Sequence, residues 1–307
     1  MARRWRLLGW LLALVGVGLA LRFFTGFPWR VTFATLLGAN PWLLAVALVV
    51  NLSSLLAKGW GWHLILKPVA PHRWRDAQEA NLVGAAVNTL SVAVAGEAAR
   101  VHVIAQRAGV PVGAAVSSVV WTRVAEALGL AVFLVMAPGL LDLEPWLRAL
   151  QAGVGLALVV VLLLAWARGW SWLADQLPPR LAARVAALRT MGRGGLLLLP
   201  TAFALYNWAT QWLTYHLVLR ATHVPVSFAA SFTAVIVANL SGLLRPTPGN
   251  VGVTQAALVV ALLPFGVAPE QAVAAGLALQ GLQVLPVLLL GAMVTGWRLL
   301  KLEAELA

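Results

Sequence analysis

The sequence predicts an all-α polytopic membrane protein, with about six full transmembrane helices plus two re-entrant hairpins arranged as a degenerate inverted repeat. Three observations carry this expectation. Of the 307 residues, 61% are hydrophobic and 10% charged, with a mean hydropathy of +0.88, whereas soluble domains carry about a quarter charged residues. Apolar stretches of the roughly 20 helical residues needed to cross a hydrocarbon core recur from end to end. Two further segments break that pattern in mid-run, and they resemble each other.

The chain opens on Met1-Ala-Arg-Arg-Trp-Arg6 and an apolar run to Leu21. No small-residue cleavage site follows and the run continues into Arg22-Phe-Phe24, so this reads as a retained helix over 6–24 rather than a signal peptide. Further long helices are expected at 42–66, 113–137, 147–167, 195–219 and 270–297. Between the second and third, segment 77–109 carries an apolar stretch over 77–95 that runs into Gly96-Glu-Ala-Ala-Arg100 and a short polar helix. Segment 227–264 has Arg245-Pro-Thr-Pro-Gly-Asn250 in its middle, then a short apolar run to Leu263. Helix breakers and charges at membrane depth are tolerated only where the backbone is buried in protein or lines a polar cavity. Both segments are therefore expected to be re-entrant hairpins.

The whole chain is one membrane domain, divided into an N-terminal helix and loop (1–41), a first repeat (42–137), a connecting helix with a basic interfacial linker (138–194), a second repeat (195–297) and a cytoplasmic tail (298–307). Loop charge tests the topology. With both ends in the cytoplasm, fifteen Arg and Lys, Lys58 and Arg107 among them, fall on that side, against Arg22, Arg30, Arg148 and Arg220 on the other. This positive-inside asymmetry suits a prokaryotic inner (cytoplasmic) membrane. It also explains the net charge of +12 without nucleic acid. Hairpin 77–109 then enters from the cytoplasmic side and hairpin 227–264 from the other. Trp residues such as Trp29, Trp42, Trp60, Trp62, Trp166 and Trp297 cluster at helix ends and read as an interfacial aromatic belt. Over 178–193, Leu181, Val185 and Leu188 share one face among several Arg, the pattern of a short interfacial helix.

The repeat is visible in short echoes. Asn88-Thr-Leu-Ser91 answers Asn239-Leu-Ser241, and Gly109-Val-Pro111 answers Gly266-Val-Ala-Pro269, at offsets of 151 to 158 residues. Helix 42–66 and its counterpart 195–219 cross in opposite directions on this topology, so the repeat is inverted. Inverted repeats with discontinuous helices meeting near the midplane mark secondary transporters, and the breaks point to the substrate site.

Ionisable residues at membrane depth cost several kcal/mol even on mild insertion scales, about 2.5–3.5 at mid-helix. Glu97 and Arg100 are expected at the turn of the first hairpin, one helical turn apart. Arg123 and Glu126 lie three apart on one face of helix 113–137. At an offset of 157, Arg123 maps to Gln280 and Glu126 to Gln283, so the second half keeps polarity and drops charge. An anionic headgroup on Arg100, Arg123 and Arg245, oriented by Glu97 and Glu126, fits this pattern; structural ion pairs between hairpin and helix are the plainer alternative. In the second hairpin Pro246 and Pro248 stop one half-helix. Gly249, Asn250 and Gly252 allow a reversal, and the free amides at the start of the next half-helix suit an anion.

No catalytic or metal constellation appears. Cys is absent, and His63, His72, His102, His216 and His223 show no ligand spacing. Glu97 and Glu126 could form a carboxylate pair, but each has an Arg close in sequence, which favours the ionised state over acid–base work. No cofactor is expected and the chain does not read as an enzyme; a membrane-embedded lipid enzyme with turnover dependent on Glu97 or Glu126 stays open as a third alternative.

The run from Asn88 through Gly96-Glu97-Ala-Ala-Arg100 to Arg123 resembles the flippase-like transmembrane domain of lysylphosphatidylglycerol synthetases and related stand-alone membrane proteins. Pro246-Thr-Pro-Gly249-Asn-Val-Gly252-Val-Thr-Gln255 is similar to that family's P-x-P-G-G-x-G-x-x-E motif. Asn250 stands in place of a Gly and Gln255 in place of a Glu. The resemblance covers about 40–297. It implies transfer of a phospholipid or lipid-linked headgroup between leaflets, with Asn88 and the motif residues at the site, to which the internal repeat adds Asn239; the aminoacyl-transfer domain of the full-length synthetases is not expected in this chain. The alternative is a non-transporting lipid-binding partner of a glycosyltransferase or lipid-modifying enzyme, with oligomerisation open.

Overall fold

A computed structural model describes residues 26–91, 95–140, 145–167, 197–242 and 247–306. The expected helix 6–24, the interfacial helix 178–193, Arg245 and Pro246 lie outside the described residues. Among the described residues every regular element is helical: α1 (Trp29–Leu37), α2 (Pro41–Leu66), α3 (Trp74–Leu90), α4 (Ala95–Ala108), α5 (Val112–Leu140), α6 (Pro145–Ala167), α7 (Leu198–Ala221), α8 (Phe228–Gly242), a 3₁₀ turn (Pro248–Asn250), α9 (Val253–Leu262) and α10 (Pro269–Leu306).

Among the described residues, four spans are long and apolar enough to cross a membrane: Pro41–Leu66, Val112–Met136, Pro248–Phe265 and Pro269–Trp297. The chain is a multi-pass membrane protein. Three of the four coincide with expected crossings, and the fourth contains the second arm of the second broken segment. The expected crossings at 147–167 and 195–219 are helical, as α6 and α7, without joining those four. Two boundaries differ from the sequence reading. Residues 29–37, read as loop, form α1, whose buried Thr32 donates from Oγ1 to Glu270 O at 3.4 Å. α10 runs past 297 to Leu306 because neither Gly nor Pro follows Gly296.

Local sequence explains the helix ends. Asn40 Oδ1 accepts from the Trp42 and Leu43 amides at 3.0 and 3.2 Å, and Pro41 fills the first helical position, where an N–H would have no partner anyway. Within α10, Pro286 carries no N–H and so deprives the Leu282 carbonyl of its helical donor. Asn51 of α2 replaces it, donating from Nδ2 at 3.3 Å.

The two broken segments each fold back as a helical hairpin, α3 on α4 and α8 on α9. In the first, Gly84 and Gly96 let the arms touch: a methyl on Gly96 would lie 2.3 Å from the Gly84 carbonyl and 2.4 Å from Asn88 Cβ. Each hairpin has its own apolar core. One gathers Trp62, Leu66, Ala80, Ile104, Ala115 and Trp121 from α2 to α5. The other gathers Val218, Leu219, Val235, Leu258, Leu262 and Leu279 from α7 to α10. The halves are joined chiefly along α2 and α7, the most extensively packed helix pair. Leu285, Leu289 and Met293, spaced by one turn on α10, remain exposed as a stripe suited to lipid.

Candidate functional site

Four ionisable side chains from two helices converge. Glu97 stands in the first turn of α4, where the helix dipole favours a carboxylate. Arg100 follows one turn later, and its Nη2 lies 3.1 Å from Glu97 Oε2. Across the interface with α5, Arg123 pairs through Nη2 with Glu97 and through Nη1 with Glu126 Oε2 at 2.6 Å. The structure thus brings together all four residues that the spacing singled out. Glu97 and Arg100 do not form the turn itself: α3 ends at Leu90 and the pair lies on the second arm. The Gly96-Glu-Ala-Ala-Arg100 run has no helix breaker after its glycine, so it continues as helix.

The two cations sit differently. Arg100 is 7% exposed; its guanidinium carbon stands 4.4 Å over the Trp62 ring, a cation–π contact that suits a desolvated Arg. Arg123, paired through both terminal nitrogens, keeps 53% of its side chain exposed.

A cavity of about 30 Å³ lies behind this network, where five helices meet. α2 lines it with Ala57, Lys58, Gly61, Trp62 and Ile65, one stripe of its surface; α7 contributes Phe203 and Asn207, α3 Asn81, α4 Arg100 and α5 Thr122 and Glu126. Two sequence assignments change here. Lys58, counted among loop cations, lies eight residues inside the end of α2 and faces the cavity. Trp62, read as part of the interfacial belt, is fully buried; its Nε1 donates to Ser118 Oγ at 2.8 Å.

The second hairpin builds a neutral counterpart. Gly249, Asn250 and Gly252 adopt φ of 60°, 54° and 82°, the left-handed region that glycine enters without strain. They turn the chain after Pro248, as the sequence predicts. Gln255 then reaches back to accept from the Gly252 amide at 2.8 Å, donates to Gln280 Oε1 at 2.6 Å, and Gln280 donates to the Gly249 carbonyl at 2.8 Å. This closed chain ties the turn to α10. It also occupies the Gly252 amide, one of the donors expected to be open to an anion.

The two hairpin tips meet. The Thr89 carbonyl and Val284 Cγ2 lie 3.6 and 3.7 Å from where a Gly249 methyl would stand. Between them is a cleft of about 200 Å³ lined by Asn88, Thr89, Ser91, Thr247, Gly249, Asn250 and Gln283. Ser91 Oγ and Asn250 Oδ1 are buried there without hydrogen-bond partners. Asn239 is not part of the cleft: its Nδ2 donates to Val235 O at 2.8 Å and to Gln211 Oε1 at 3.2 Å, so it serves the packing of α8 on α7. Its echo of Asn88 is one of sequence and not of position at the tip.

Residues 7–291 match the family model described as the lysylphosphatidylglycerol synthase TM region. No curated protein and no solved structure matches the chain.

Proposed function

Since the chain belongs to the lysylphosphatidylglycerol synthase TM-region family, a membrane domain related to lipid handling, we propose that it is a flippase-like transporter. It moves the polar headgroup of a phospholipid or lipid-linked species between leaflets while the tails stay in lipid. The observation that carries this reading is the meeting of the two hairpin tips at a polar cleft, beside an ionic network whose Arg123 is about half exposed. A headgroup needs such a path because polar groups without partners cost several kcal/mol in hydrocarbon, about 4–8 on cyclohexane scales.

The inverted repeat belongs to the same proposal and has a side-chain correlate. Glu97 to Arg123 and Gln255 to Gln280 each tie the second arm of a hairpin to the following long helix, at offsets of 158 and 157 residues. We read the network as binding rather than catalytic, since both carboxylates hold guanidinium partners. Loop charge favours a prokaryotic inner membrane with cytoplasmic ends and the hairpins entering from opposite faces.

Exchange of fluorescent phospholipid between leaflets of proteoliposomes tests the reading. Vesicles holding the full chain should equilibrate an anionic phospholipid faster than protein-free vesicles. Equal rates for both would refute transport.

A further inference from the structure

The ionic network is not neutral. Lys58, Arg100 and Glu126 line one cavity, and Glu97 and Arg123 are ion-paired to Arg100 and Glu126 in turn; the five groups together leave one positive charge uncompensated. Glu97 and Glu126 are both committed to guanidinium partners, and Lys58 forms no ion pair with any described carboxylate. A helix does not place a lysine eight residues inside its end, on its inward stripe, without cost.

The rest of the cavity wall is also unfinished. Arg100 and Asn207 are 7% and 4% exposed, yet Arg100 Nε and Asn207 Oδ1 are buried with no hydrogen-bond partner. Buried polar atoms in folded proteins are nearly always paired. The Asn207 amide presents either edge to the cavity after a half-turn about its last torsion, so it can serve as a donor. The geometry therefore gathers an ammonium, a guanidinium edge and an amide around a volume of about 30 Å³. That is room for about two waters, or for one compact oxyanion in their place.

We infer that this cavity is an anion subsite for a single phosphate-type group, with Lys58 supplying the uncompensated charge and Arg100 and Asn207 completing the donor set. Glu126 also lines the cavity, and its carboxylate limits the site to one anionic charge. The subsite deepens the transport reading, because a phosphate is the feature that phospholipid headgroups share. It rests on that reading only for the source of the anion.

The test uses the full chain in a neutral maltoside detergent, with thermal unfolding followed by tryptophan fluorescence. The probes are inorganic phosphate and dihexanoyl phosphatidylglycerol. At least one should raise the unfolding temperature of the unmodified protein in a saturable way: the lipid alone points to a headgroup, and phosphate as well points to any free oxyanion. Lys58→Met should weaken that binding about tenfold or more, as loss of a charged hydrogen bond does, while Lys58→Arg retains it.

A second readout separates binding from a structural role. Removing an uncompensated cation relieves repulsion, so Lys58→Met should unfold at the same or a higher temperature without ligand. Absence of stabilisation by either probe overturns the subsite. So does a Lys58→Met protein that binds as tightly as the unmodified one, or one that unfolds earlier in the absence of ligand. Leaflet exchange on the same preparation is read separately: binding without exchange removes transport and leaves the subsite standing.

Discussion

The two hairpins solve one mechanical problem with different chemistry. In each, the arm after the tip must be fixed to the next long helix. The second does this with Gln255 and Gln280, a neutral amide pair joined to the backbone on both sides of the turn. The first uses Glu97 and Arg123 at the equivalent places and adds Arg100, Glu126 and Lys58. The neutral version shows that the fold does not require charge at this position. Buried ion pairs contribute little net stability compared with less polar substitutes, so on the proposed reading the charges of the first hairpin serve binding.

That contrast is open to direct attack. The largest effect is expected from Glu97→Ala, which leaves Arg100 buried and Arg123 with one partner fewer; about 3 kcal/mol should be lost, read as a fall in the thermal midpoint of the detergent-solubilised protein. Gly96→Ala should follow, at about 2 kcal/mol, because the added methyl meets the Gly84 carbonyl and α3 must move away from α4. Gln255→Ala should cost less, about 1–2 kcal/mol, since it removes neutral hydrogen bonds and leaves the Gly252 amide and the Gln280 side-chain oxygen without partners. The smallest effect sharpens the comparison most. Gln255→Glu combined with Gln280→Arg should be more stable than the two single changes predict, by about 1 kcal/mol of coupling in a double-mutant cycle. Strict additivity there would mean that the two pairs are not equivalent.

Much of this arrangement is legible in the amino-acid sequence. Composition and run length point to the membrane, the two breaks to the hairpins, and three-residue spacing on one face to Glu97 with Arg100 and Arg123 with Glu126. The cost of an ionisable group at membrane depth is what makes those four visible. Lys58 escapes for a physical reason: a lysine some two turns from a helix end is able to extend its long stem toward the interface, so its position alone does not separate a loop cation from a cavity cation. Trp62 escapes for the parallel reason that tryptophan is common at interfaces, and its burial depends on Ser118 and Arg100 arriving from other helices. The equivalence of Glu97 with Gln255 is hidden because the offset drifts from 151 residues at Asn88 to 158 at Glu97. The drift arises between the arms: α3 ends at Leu90 and α4 begins at Ala95, whereas α8 ends at Gly242 and α9 begins at Val253.

Charge in the first hairpin, on this reading, serves transport, while polarity in either hairpin serves the fold. Converting Glu97 and Arg123 to Gln together makes the first hairpin chemically like the second. Leaflet exchange of an anionic phospholipid in proteoliposomes, measured beside cooperative thermal unfolding of the same variant, tests this most directly. The expected result is a folded protein whose exchange falls to the rate of protein-free vesicles. A folded variant that exchanges lipid at the rate of the unmodified protein would contradict it.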